Sequence, residues 1–157
     1  LLSFLFLGAL LPSTADAATL PCTTICTGTS GVCNVTSGTY VIDPGAVLDC
    51  TGRDVVVQGF ATIRVNDGSF KLLAGTLNVT SGGVIRAVEV NASGRLGLDI
   101  QTTGAISIYG YLQADAPSGN GRIDVDAGAA LTIANDGDKG IEASGTGPGS
   151  SGGEITL

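Results

Sequence analysis

The chain has 157 residues, with seven Lys or Arg against fourteen Asp or Glu, and no His, Trp or Met. Without histidine it can form no Ser-His-Asp or Cys-His triad, no imidazole metal site and no imidazole proton shuttle. A net charge of −7, with the basic residues scattered, argues against nucleic acid as a partner through its phosphates. The missing Met predicts a fragment, or a chain whose start has been lost.

The first element is the apolar run Leu1–Leu11, closed by Pro12. Eleven helical residues span about 16 Å, too short for the roughly 30 Å core of a bilayer. Ser13-Thr-Ala15-Asp-Ala17 follows, with small residues at the positions a signal peptidase reads. Residues 1–17 therefore read as a secretory signal without its basic leader, cleaved after Ala17. A buried apolar helix is the bland alternative. Removal leaves thirteen acidic and seven basic residues, a charge of −6.

Residues 18–39 form the next segment. All four cysteines lie at Cys22, Cys26, Cys33 and Cys50, and none follows. An exported chain meets an oxidising compartment, so an even count predicts two disulfides, with three connectivities open. Zinc is the rival reading, but the spacing lacks paired C-x-x-C and offers no His. The staples fall in a Thr/Gly-rich stretch with few apolar residues, which marks it as an N-terminal cap.

From Tyr40 onward short runs alternate apolar with polar or small residues. They are Val55–Val57, Ile63–Val65, Phe70–Leu72, Leu77–Val79, Val88–Val90, Leu96–Ile100, Ile106–Ile108, Leu112–Ala114, Ile123–Val125, Leu131–Ile133, Ile141–Ala143 and Ile155–Leu157. Period two with β-branched residues predicts strands with one buried face, and helix is nearly absent. The strand–loop–strand unit from Gly110 to Val125 recurs from Gly140 to Leu157, with Leu131–Ile133 between the copies. A repeat of 25–30 residues holding three short strands fits one coil of a parallel β-solenoid. Each strand offers too few apolar side chains for a core alone, and stacking joins them into aliphatic columns. An immunoglobulin-like sandwich is the competing all-β fold, and it would want longer strands and usually a buried Trp. The expected fold is thus all-β, a parallel solenoid over residues 40–157 with right-handed coils, continuing past Leu157.

An apolar leader, a capped start and Gly-x-Ile/Leu-x-Val/Ala units joined by Gly-Ser-Gly-Gly loops resemble bacterial β-helical surface proteins. The style is similar to filamentous-haemagglutinin-like and autotransporter-passenger adhesins, down to the closing phrase Gly152-Gly-Glu-Ile-Thr-Leu157. The resemblance covers about Tyr40 to Leu157. It implies an extracellular, elongated, usually non-enzymatic scaffold.

Chemistry-bearing patterns are few. Pectinase-type hydrolases and lyases share β-helical architecture, but the Gly-His-Gly of the hydrolases cannot occur here. Arg122-x-Asp124-x-Asp126 puts a cation and two carboxylates on the outward face of one strand, and is the most catalytic-looking constellation. Solvent-facing strand positions are ordinarily charged, and such charges also discourage edge pairing. Asn135, Asp136 and Asp138 resemble the start of a calcium loop. The twelfth position is Thr146 rather than Glu and no helix follows, so a polar turn is the plainer reading. Asn34-Val-Thr36, Asn78-Val-Thr80 and Asn91-Ala-Ser93 are glycosylation sequons that matter only in a eukaryotic secretory pathway.

The expected function is a secreted or cell-surface scaffold or adhesin, non-enzymatic in this region and needing no cofactor. Its partners would be a host or matrix surface or a polysaccharide. Membrane contact would come only through the signal peptide or through regions outside this sequence. The alternative is the start of a β-helical polysaccharide lyase or hydrolase with its catalytic residues further along.

Overall fold

A computed structural model describes residues 17–26, 31–91, 95–117, 120–134, 140–145 and 153–157. Among them, the only helical element is a single 3-10 turn, Cys22–Thr24, and every strand pairing is parallel. The chain is a parallel β-solenoid of about four turns. The parallel ladders dispose of a face-to-face antiparallel sandwich.

Each coil has three faces. The first carries β1 (Thr19–Pro21), the first halves of β4 (Val47–Val57) and β6 (Ser69–Val79), then β8 (Leu96–Thr102), β11 (Gly121–Ala127) and β14 (Glu154–Thr156). The second carries β2 (Val32–Val35), the second halves of β4 and β6, β9 (Ile106–Ile108) and β12 (Leu131–Ile133). The third is a separate sheet of β3 (Gly38–Ile42), β5 (Ala61–Asn66), β7 (Val84–Val88), β10 (Tyr111–Asp115) and β13 (Gly140–Ser144). Segment 18–39 is laid onto the coils as well, since β1 and β2 pair with β4 and β3 pairs with β5.

The period-two alternation has a direct structural consequence. Inward side chains in register form columns such as Leu48–Leu72–Ile100–Val125, Val55–Leu77–Ile106 and Ile63–Ile85–Leu112, nearly all fully buried. Branched aliphatic residues pack well on themselves at the roughly 4.8 Å strand spacing, so the core needs few aromatics. One strand differs from expectation. The run Val88–Val90 belongs to the end of β7, which spans Val84–Val88, and its inward residues are Ile85 and Ala87. Val88 points outward and Val90 is half exposed. Arg86 between two small or apolar neighbours disguised the strand in the sequence.

Glycine holds the corner between the second and third faces. Gly83 and Gly110 stack there, and a Cβ on Gly110 would collide with the Gly83 carbonyl oxygen. At the same corner one coil earlier stands Phe60, in the left-handed region at φ 70° and 94 % exposed. The corner from the third face to the first varies most. Two residues separate β5 from β6, but seven separate β7 from β8 and nine separate β13 from β14. Coil length therefore runs from 22 residues (Thr62 to Val84) to 32 (Arg122 to Glu154).

The cap is covalent. Cys22 bonds Cys50 and Cys26 bonds Cys33, leaving no free cysteine. Oxidised sulfurs are not thiolate ligands, so the zinc reading gives way to two disulfides. Arg53, in the bulge of β4, is almost wholly buried beneath them, its Nε donating to the Gly31 carbonyl at 3.3 Å.

Candidate functional site

The outward surface of the first face concentrates charge. Register places Lys71, Asp99, Asp124 and Thr156 in one column. On one side the adjacent column reads Ser69, Gly97, Arg122 and Glu154, and on the other side it reads Asp49, Leu73, Gln101 and Asp126. Each strand contributes alternate residues to this surface, so the columns are the polar half of the pattern that builds the core.

The charges pair with one another. Lys71 Nζ lies 3.2 Å from Asp99 Oδ2 across two strands. Arg122 Nε lies 2.6 Å from Asp124 Oδ2 within β11, and its Nη1 reaches Glu154 at 3.5 Å. The hydrogen bond from Arg122, and secondarily one from Thr156, holds the Asp124 carboxyl below the ordinary aspartate range. The same partner pushes the Arg122 guanidinium upward. Asp126 shares the outward face of β11, as its spacing from Asp124 predicts, but stands one row away beside Gln101.

Between these columns lies a shallow cleft of about 310 Å3, with Phe70, Leu96 and Leu98 beneath and Lys71, Arg95, Asp99, Arg122 and Asp124 at its rim. Gly97 makes the depression, because its row lacks a side chain between Ser69 and Arg122. The seven-residue corner between β7 and β8 ends at exposed Arg95. Asp67 anchors the start of that corner, its carboxylate accepting from the backbone N–H groups of Val90 (2.6 Å) and Asn91 (2.9 Å).

In this arrangement Asp99 and Asp124 each stand beside a cation, and Arg122 is held further from deprotonation. What the cleft can do is present donors and acceptors in fixed rows to a polar ligand.

The other sequence candidates fall elsewhere. Asn135, Asp136 and Asp138 lie outside the described residues, as do residues 1–16 of the leader. Asn34 and Asn91 are exposed, whereas Asn78 is the penultimate residue of β6 with its Oδ1 buried. The Arg122–Glu154 pair joins equivalent positions of the two repeat copies, 32 residues apart. The Lys71–Asp99 pair was not legible in the sequence, because the coil lengthens at the β7–β8 corner. No helix among the described residues is long and apolar enough to cross a membrane. No protein-family model, curated protein or solved structure matches the chain.

Proposed function

We propose that the chain is a secreted or cell-surface solenoid serving as a structural scaffold or adhesin, without chemistry of its own. The observation that carries this reading is a continuous parallel stack closed at its start by two disulfides. Disulfides persist in oxidising compartments, which agrees with the apolar leader and Ala15-Asp-Ala17. Stacked strands give rigidity along one axis, and the outward rows offer charge and hydroxyls to a matrix or saccharide. Expression with residues 1–17 in place tests this. The expected product is exported, begins at Ala18 by mass spectrometry, and shows no free thiol. A chain retained in the cytosol with four reduced cysteines would sink the proposal.

A second reading, a polysaccharide lyase or hydrolase, is favoured by the cleft over Gly97 with its adjacent carboxylates and cations. Incubation with polygalacturonate and calcium, monitored for unsaturated and reducing ends, separates the two. Turnover that Asp124→Asn abolishes would replace the scaffold reading.

A further inference from the structure

The third face carries a feature that the first lacks. Arg64 on β5 and Arg86 on β7 are directly in register, so two arginine side chains leave the outward side of neighbouring strands, which lie about 4.8 Å apart. Val41 precedes them in the column and Gln113 follows. Like charges set opposite one another in a sheet are destabilising. No carboxylate lies within ion-pairing distance of either among the described residues, although the first face pairs Lys71 and Arg122.

Three polar atoms at this spot also lack partners. Nε of Arg64, Nε of Arg86 and Oδ1 of Asn66 are buried and make no hydrogen bond. Asn66 is two residues beyond Arg64 on the same outward side of β5. The acidic groups of this sheet stand further down the stack: Asp115 accepts from Ser144 at 3.2 Å, and Glu142 lies beyond Gln113. In a chain of net charge −7, an uncompensated arginine pair is a departure that calls for a counter-anion. Guanidinium forks match the oxygens of carboxylate or sulfate, and adjacent forks can hold two such groups or bridge one. The Asn66 oxygen needs a donor, which a neighbouring hydroxyl supplies.

We propose that Arg64, Arg86 and Asn66 form a binding site for the oxyanion of a short acidic saccharide, its carboxylate or sulfate on the arginines and a hydroxyl on Asn66. Tyr111, in the row beside Arg86 and one strand further on, offers a ring face for the sugar. The proposal deepens the adhesive reading and rests on it. Proximity of the strands sets the spacing, so the site exists only in the folded stack.

The test is titration of the folded chain with tetragalacturonate, a sulfated disaccharide, a neutral galactose oligomer and inorganic sulfate, at low and moderate salt. Wild type should bind the acidic saccharides, ignore the neutral one, and hold sulfate more weakly than the hydroxylated ligands. Arg86→Gln and Arg64→Gln should each weaken binding at least tenfold. The Arg64→Lys/Arg86→Lys double variant should weaken it several-fold, since lysine keeps charge and loses the fork. Asn66→Ala should weaken the saccharides but not sulfate. Circular dichroism and the thermal midpoint establish that each variant is folded. Equal binding by wild type and the folded Arg64→Gln/Arg86→Gln variant would overturn the site. So would no acidic saccharide bound by wild type. An exported, disulfide-bonded chain that binds no acidic saccharide would leave the scaffold reading standing, so the two failures are distinguishable.

Discussion

The first coils of the solenoid and its last described strands share one pattern but are held differently. In the first coils, two disulfides pin Cys22 to Cys50 and Cys26 to Cys33, and Ile63 and Ile85, stacked in one column, are fully buried. In the last described strands Ile133, Ile155 and Leu157 are 37, 44 and 67 % exposed. A strand in a stack is buried by its neighbours as much as by its own pattern, so identical sequence phrases have unequal worth along the axis.

The largest expected effect sharpens that contrast. Ile85→Ala in the middle of the third face should cost about 2–5 kcal/mol in denaturant unfolding. Ile155→Ala, half exposed in β14, should cost under about 1 kcal/mol. Equal losses would break the comparison between middle and end.

The staples come next. The Cys22–Cys50 bridge spans 28 residues and the Cys26–Cys33 bridge only 7. On loop-closure entropy, removing the longer should cost about 3.5 kcal/mol and the shorter about 2.5 kcal/mol. Thermal unfolding of the two Cys→Ala pairs checks the order. A larger loss for the shorter loop would show that native packing of the cap outweighs chain entropy.

A smaller and opposite effect is expected at the corner. Phe60 adopts φ 70° with almost no burial, a conformation that costs a non-glycine residue about 1–2 kcal/mol. Phe60→Gly relieves that strain and lowers unfolded-state order, so the net change should lie between zero and about 1 kcal/mol of stabilisation. Destabilisation in urea melts would mean that the exposed ring packs on something.

The smallest effect concerns charge. Asp124 titrates lower in the folded chain than in the unfolded one because Arg122 hydrogen-bonds its anion. Its contribution is complete above the unfolded value near 3.8 and fades as pH falls through the lower folded value. Asp124→Asn should therefore lower the thermal midpoint by at most about 3 °C at pH 6, and by nothing once the pH is well below the lowered folded value. A difference that grows with acidification would contradict the pairing.

Much of this architecture was legible beforehand, for a local reason. Ile63-Arg-Val65 or Leu98-Asp-Ile100 states its buried face by alternation alone, and the glycines between such runs state the corners. The recurrence of Gly121-Arg-Ile as Gly153-Glu-Ile is visible in the sequence, and the structure sets Glu154 beside Arg122. What escaped notice had local disguises. Strand β7 was hidden by Arg86 and by the Gly82-Gly83 corner before it, and Arg53 carried no sign that it would be buried under the cap.

By itself, then, the sequence determined the period, the aliphatic interior and the all-β solenoid, because alternation and glycine act over a few residues. Tertiary structure alone decided which of three disulfide pairings forms and which charges meet. Corner loops of two to nine residues decouple position in the chain from position in the stack. Lys71 finds Asp99, and Arg64 faces Arg86, only once inward columns set the register. Packing of the core chooses the neighbours of every outward side chain.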